Sequence, residues 1–237
     1  TPGVIIGIID ESVGSDGIIT DGNIKTVADL KGKTIAAEPN IPARLLLQMA
    51  LKEAGLTLAD LNLKDIASAD TAAVFADESI AAVATYEPFM SQAIANSSRA
   101  GAKELLTSKD YPGLIIDAII ARNDDLKASP QKYEAFLACI YEAVDFINAQ
   151  PQQFAEMVAP EFGLTPDEVT GIVAGSLAYT TLAQASEYMG TGGKLGSLGT
   201  AFDTVMELNL ENGAADNKLV ASEQIDNSAI SALLGTP

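Results

Sequence analysis

The feature that most limits the folds open to this 237-residue chain is a change of rhythm near residue 121. Before it, short β-branched or alternating apolar runs take turns with stretches whose apolar residues recur at helical spacing. After it, the helical spacing runs on almost alone. Residues 4–9 are a continuous β-branched run of the kind a buried strand needs. The Gly/Ser/Asp stretch 10–17 reads as a loop and is followed by the apolar pair Ile18-Ile19. Residues 27–30 form a helical turn stopped at Gly32, and 34–37 form a strand. Pro42 opens a helix through Ala54, with Leu45, Leu46, Met49 and Ala50 at helical spacing and Gly55 as its stop. Further strands fall at 61–66, 80–84 and 114–121, with a short extended piece at Leu105-Leu106. Asp70 is placed to cap a short helix over 71–75, and Pro88 opens another through Ala95. This order predicts an α/β lobe around a largely parallel sheet, with helices on both faces.

Beyond residue 121 no strand is predicted. Ser129-Pro130 opens a long helix through Ala149, with Tyr133, Phe136, Leu137, Ile140, Val144 and Ile147 on one face. Pro151 restarts a helix, and Thr165-Pro166-Asp167-Glu168 is a capping sequence with proline at the first helical position. Residues 190–199 are rich in glycine. They lack P-loop spacing and a preceding strand, so they read as a flexible linker rather than a phosphate cradle. Helices are predicted at 198–211 and 228–234. These helices carry apolar faces but bring no sheet of their own to cover.

Charge and composition narrow the function. Fourteen Lys and Arg stand against 32 Asp and Glu, a formal charge of −18, which disfavours nucleic acid and anionic membranes as partners. The imbalance is concentrated late: residues 133–237 hold two basic and fourteen acidic side chains. No apolar run reaches 18 residues, so no membrane insertion is expected. The chain contains no histidine and one cysteine, Cys139. Histidine-based triads, Cys-His dyads and histidine zinc sites are therefore excluded, and no cofactor is expected. Cys139 falls in an amphipathic helical pattern and is expected to be a small buried apolar group.

Several segments in order resemble one family. The loop Asp10-Glu11-Ser12-Val13-Gly14-Ser15-Asp16-Gly17 resembles the hinge loop of type II periplasmic solute-binding proteins of ABC importers, the group that takes taurine, sulfonates, nitrate and thiamine precursors. Ile24-Lys25-Thr26-Val27-Ala28-Asp29-Leu30-Lys31-Gly32-Lys33-Thr34-Ile35 is similar to a segment that precedes a strand there. Leu51-Lys52-Glu53-Ala54-Gly55-Leu56, Ala81-Ala82-Val83-Ala84-Thr85-Tyr86-Glu87-Pro88, and Leu126 with Ser129-Pro130 add to the likeness. The resemblance covers roughly residues 4–190 and fades toward the C-terminus. In that family about a third of the mature chain usually precedes the Asp10 loop. The resemblance therefore implies an α/β lobe over 10–120, while 1–9 and 121–237 make the mostly helical, incomplete part of a second lobe. It also implies self-association if the apolar faces stay uncovered.

The resemblance implies non-enzymatic capture of a small polar solute outside the cytoplasm, delivered to ABC permease subunits. Four places suit ligand contact, because open α/β sheets bind at strand carboxyl ends and helix starts. The first is the loop with Ser12, Gly14 and Asp16, where glycine lets the backbone approach and the side chains offer oxygens. The second is the strand-to-helix junction at Asn40, with Glu38 and Arg44 beside it, where helix-start N–H groups are free. The third is Tyr86 with Glu87, another strand end. The fourth is Asp117, a charge inside an apolar strand that needs a partner. Asp16, Glu87 and Asp117 together would favour an amine-bearing solute such as an aminosulfonate. Two other readings share the fold. One is a sensory or interaction domain. The other is a pyrimidine-synthesis enzyme, whose cysteine-rich motif and histidine are missing here.

Overall fold

In the computed structural model, which describes residues 3–235, the opening β-branched run becomes strand β1 (Gly3–Ser12). The chain passes at its end from one folding unit into another. The first unit takes the chain up to Glu11, Ile116–Leu210 and the chain from Ala215; the second takes Ser12–Ile115 and Glu211–Ala214.

The second unit is built on five strands. They are β2 (Asp16–Thr20), β3 (Thr34–Ala37), β4 (Asn62–Asp65), β5 (Ala82–Tyr86) and β6 (Lys103–Thr107), in the order β4-β3-β5-β2-β6. Strand β3 pairs in parallel with β4 and β5, as a βαβ alternation requires, whereas β2 runs antiparallel to both β5 and β6. Three helices cover it: α1 (Pro42–Glu53), α2 (Thr71–Phe75) and α3 (Phe89–Ala95). The period of two along each strand sorts the side chains between two cores. Ile18, Ile35, Ala37, Ala82 and Ala84 meet Ala43, Leu47 and Leu51 of α1; Ile19, Ala36 and Val83 meet Phe75, Met90 and Ala93. The buried stripe of α1 runs through Ala43, Leu46, Leu47, Ala50 and Leu51, which leaves Leu45 and Met49 half-buried at its flank. Each fully buried Leu or Ile contributes about 1.5–3 kcal/mol. Asp70 precedes α2 with no side-chain capping bond.

The ion pair of Arg99 with Asp21 is buried in this unit. Arg99 donates through Nε to Asp21 Oδ2 at 3.1 Å and through Nη1 to the carbonyls of Phe75 (3.0 Å) and Ile80 (2.6 Å). Its guanidinium stands 4.6 Å from the centre of the Phe75 ring. Burial works against the Asp21 charge. The Asn23 amide and the Arg99 guanidinium outweigh it, so the carboxyl lies below its ordinary range.

The first unit has a thinner sheet. Strand β7 (Ile116–Arg122) pairs antiparallel with β1, and a three-residue strand, β8 (Leu177–Tyr179), lies on the other side of β1. The helices are α4 (Asn123–Ala128), α5 (Pro130–Ala149), α6 (Pro151–Phe162), α7 (Pro166–Ser176) and α8 (Leu182–Met189). After the hairpin β9 (Gly190–Thr191) and β10 (Lys194–Leu195) come α9 (Leu198–Glu211), α10 (Ala221–Gln224) and α11 (Ser228–Leu233). Leu137, Tyr141, Val144 and Ile147 form the buried stripe of α5. Close packing there depends on Gly7: a Cβ at that position would lie 2.6 Å from Leu137 Cδ2. Ile6, Ile8, Leu137, Met189 and Ile230 anchor the core. Helix α7 starts as its capping sequence requires: Thr165 N donates to Glu168 Oε2 at 2.7 Å, and Glu168 N returns to Thr165 Oγ1 at 3.3 Å.

Three expectations fail in this unit. Strands do occur after residue 121, as β8 and the β9–β10 hairpin, but they are two or three residues long and carry no usable periodicity. The glycine-rich stretch is not a flexible linker. Asn227 Oδ1 accepts from Gly193 N (3.1 Å), Asn227 Nδ2 donates to Lys194 O (3.0 Å), and Ser231 Oγ accepts from Gly192 N (3.0 Å). Those bonds fasten the hairpin to the start of α11. Cys139 is exposed, because it lies two residues from Leu137 and so about 200° around α5 from the buried stripe.

Candidate functional site

The pairing register of the second unit gathers polar residues along one end of its sheet. Parallel strands β3, β4 and β5 all finish there. Antiparallel β2 begins there, with Asp16 opposite Tyr86, and β6 finishes there, with Thr107 opposite Gly17. Across this lip the order is Asp65 and Ser68, then Glu38, then Thr85 to Glu87, then Ser15 and Asp16, then Thr107 to Lys109. The geometry is that of strand carboxyl ends in an open sheet.

Two hydrogen-bonded runs organise the lip. In the first, Gly14 N donates to Ser108 Oγ at 2.7 Å, Ser108 Oγ and Ser12 Oγ are 2.8 Å apart, and Ser12 Oγ donates to Asp16 Oδ2 at 2.7 Å. A hydroxyl has one proton. Since Ser12 gives its proton to the carboxylate, Ser108 must be the donor to Ser12. The run therefore points one way, from backbone amide through two hydroxyls to Asp16, and Ser12, Asp16 and Ser108 are all buried. In the second run, Glu38 Oε2 accepts from Ser68 N (2.8 Å) and Ser68 Oγ (2.5 Å), while Thr71 Oγ1 donates to Ser68 O at 2.6 Å and lies 3.1 Å from Thr85 Oγ1. The Ser68 hydroxyl and amide hold the Glu38 carboxyl below its ordinary range. Among the described residues, nothing donates to its second oxygen, Oε1.

The remaining candidates of the lip differ in how far they are committed. Glu87 N donates to Ser15 O at 2.8 Å, which ties this strand end to the Gly14 loop. Its carboxylate accepts from Ser91 N (3.2 Å) and Ser91 Oγ (2.8 Å), so it also caps the first turn of α3. Tyr86 is half-buried, and its ring meets that of Phe89 edge-on at 5.3 Å. Asn40 is exposed with φ 61°, a left-handed turn that asparagine tolerates better than most residues. Helix α1 starts after it without a side-chain cap, and Arg44 is tied to Asp65 at 2.8 Å. Lys109 lies across Gly14, whose φ of +128° and closeness to Lys109 Cε (2.8 Å from a built Cβ) both favour glycine. Its ammonium makes no ion pair with any described residue.

Asp117 belongs to the first unit and stands opposite Asp10 in the β1–β7 ladder. It is exposed rather than buried, because β7 has a strand neighbour on one side only. Burial raises the Tyr179 hydroxyl above its ordinary range, and the charges of Asp10 and Asp117 add to the effect. In the same unit Tyr188 donates to Glu11, and burial with that bond pushes the phenol up to about 12. Sequence reasoning missed Ser108 and Ser68. Each is a common surface residue type, about 96 and 30 positions from its partner, and no local pattern marks such a pairing.

This architecture is that of the type II periplasmic binding proteins. It superposes on the periplasmic aliphatic sulphonate-binding protein of Escherichia coli with a TM-score of 0.77 at 22% identity, over 95% of this chain and 70% of that one. The alkanesulfonate-binding protein of Xanthomonas axonopodis pv. citri, solved with MOPS bound, gives 0.74 at 18% identity over 95% and 74%. The chain belongs to the NMT1/THI5-like family, which it matches over residues 4–154. A protein of Brucella abortus (strain 2308), assigned as a binding protein, is 31% identical over 151 residues, 62% of this chain and 47% of that protein. The chain thus spans about half the length of the curated relatives it matches there. The fold is shared with an enzyme as well: desulfurization enzyme DSZB superposes with a TM-score of 0.65 at 12% identity. Among the described residues, no helix is long and apolar enough to cross a membrane.

Proposed function

We propose that this protein captures a small polar solute carrying an amine, without transforming it, and presents it to the permease of an ABC importer on the outer side of the cytoplasmic membrane. The observation that carries this reading is the lip of the second unit, where Asp16, Tyr86 and Glu87 stand together at strand ends in register. Carboxylates beside an aromatic face suit an ammonium group, which gains from both charge and ring. Lys109, with no ion pair among the described residues, supports an acid group at the other end of the solute, as in an aminosulfonate. The relative solved with MOPS, a sulfonate that also carries an amine, agrees with this class.

Capture rather than catalysis is supported by the absence of histidine and by the place of the one cysteine, on an exposed face of α5 in the first unit. Binding isotherms with a small panel of amines and aminosulfonates test the reading. Wild type is expected to prefer ammonium-bearing probes over acids of the same length, and Glu87→Gln to lose about tenfold in affinity for them. Unchanged affinity in Glu87→Gln removes Glu87 from the site, and no binding of any probe removes the reading.

A further inference from the structure

The run from Gly14 N through Ser108 and Ser12 to Asp16 joins two parts of the chain that meet only in the folded protein. Ser12 and Asp16 belong to the segment by which the chain enters the second unit; Ser108 begins the segment by which it leaves, ending at Ile115. A second bond closes the same junction, with Ser12 N donating to Ile115 O at 3.0 Å. Every hydroxyl proton in the run is spent on the next acceptor, so neither serine has a proton left for an anion. What the run delivers is a carboxylate at the lip, fixed from one side by a buried hydroxyl.

We propose that Ser108 is a positioning residue for solute binding, setting Asp16 in place through Ser12 so that the carboxylate is presented to the solute's cationic group. This rests on the reading of the lip as the solute site. It explains why the hydroxyl of a serine 92 positions beyond Asp16 is buried between two polar partners, Gly14 N and Ser12 Oγ, instead of facing water. Without its hydroxyl, Gly14 N–H and Ser12 Oγ each lose a partner in a buried place, and the Gly14 turn and the Ser12 hydroxyl that orients the Asp16 carboxylate each lose a restraint. A threonine keeps the hydroxyl and should keep the orientation.

The test compares Ser108→Ala, Ser108→Thr and Asp16→Asn with wild type, by calorimetric titration with 2-aminoethanesulfonate and with ethanolamine as a probe lacking the acid group. Thermal unfolding of each variant is followed separately. The expected result is a loss of about tenfold in affinity for both probes in Ser108→Ala and Asp16→Asn, with recovery to within about threefold in Ser108→Thr. Wild-type affinity in Ser108→Ala overturns the proposal and leaves the lip as the site. Equal losses in Ser108→Ala and Ser108→Thr also overturn it, since the hydroxyl would then not be what matters. No binding of either probe to wild type overturns both this proposal and the amine-capture reading.

Discussion

The two units bury their sheets differently. The second has five strands, helices on both faces, and two separate cores sorted by the period of two along β2, β3 and β5. The main sheet of the first has three strands, one of them three residues long, and its core is carried by helices packed around β1. The large apolar side chains left exposed among the described residues are Ile120, Phe136, Met157, Leu219, Val220 and Leu234, and all six are in the first unit. The charge follows the same division: the second unit holds nine basic and fourteen acidic residues, the first five and eighteen. A sheet covered on both sides fixes its strand ends well enough to carry a polar lip. A thin sheet wrapped by helices leaves apolar surface and offsets it with acid.

The largest effect should come from the buried pair of the second unit. Arg99→Met leaves the Asp21 carboxylate without its partner, and a loss of about 3–5 kcal/mol is expected by denaturant unfolding. Hydrogen exchange should show the loss in β2, α2 and β5; equal loosening of α5 would break the distinction between the units. The pair also sets a pH dependence. Because the Asp21 carboxyl lies lower when folded, its contribution is fully present above the unfolded value of about 3.9 and disappears as pH falls through the folded value. The stability gap between wild type and Asp21→Asn should therefore narrow in acid, and a gap that widens there contradicts the account.

In the first unit, Gly7→Ala forces a methyl against Leu137 and is expected to cost about 1–3 kcal/mol, with lost exchange protection in β1 and α5. A neutral Gly7→Ala would mean that α5 is held less tightly on β1 than the close contact implies. The smallest effect is expected for Ile120→Thr, since 70% of Ile120 is exposed on β7: a change within about 0.5 kcal/mol. A much larger loss would show that this strand face is covered in solution and would remove one sign of the difference between the units.

The difference between the units also decided what the sequence could reveal. Strands β2, β3 and β5 of the second unit show as short continuous apolar runs because both of their faces meet helices, and alternation marks only the exposed edge strand β4. Helix α9 was legible to the residue from its apolar spacing and α7 from its capping box. Strand β8 was not legible, because three residues hold no period and it forms only beside β1. Cys139 misled because its residue type favours burial while its angle on α5 faces water. Asp117 misled because an apolar strand was read as a covered one. At the lip, Tyr86 and Glu87 were read at a strand end, Asp16 was read inside a 10–17 loop but opens β2, and Ser108 and Ser68 act through partners that only the fold brings near.

The central claim is that the lip of the second unit holds the solute. Hydrogen–deuterium exchange with and without saturating 2-aminoethanesulfonate measures it directly. Slowed exchange is predicted in the segments holding Gly14 to Asp16, Tyr86 to Ser91 and Ser108 to Lys109. Slowed exchange confined to other segments of a chain that does bind the probe would contradict it.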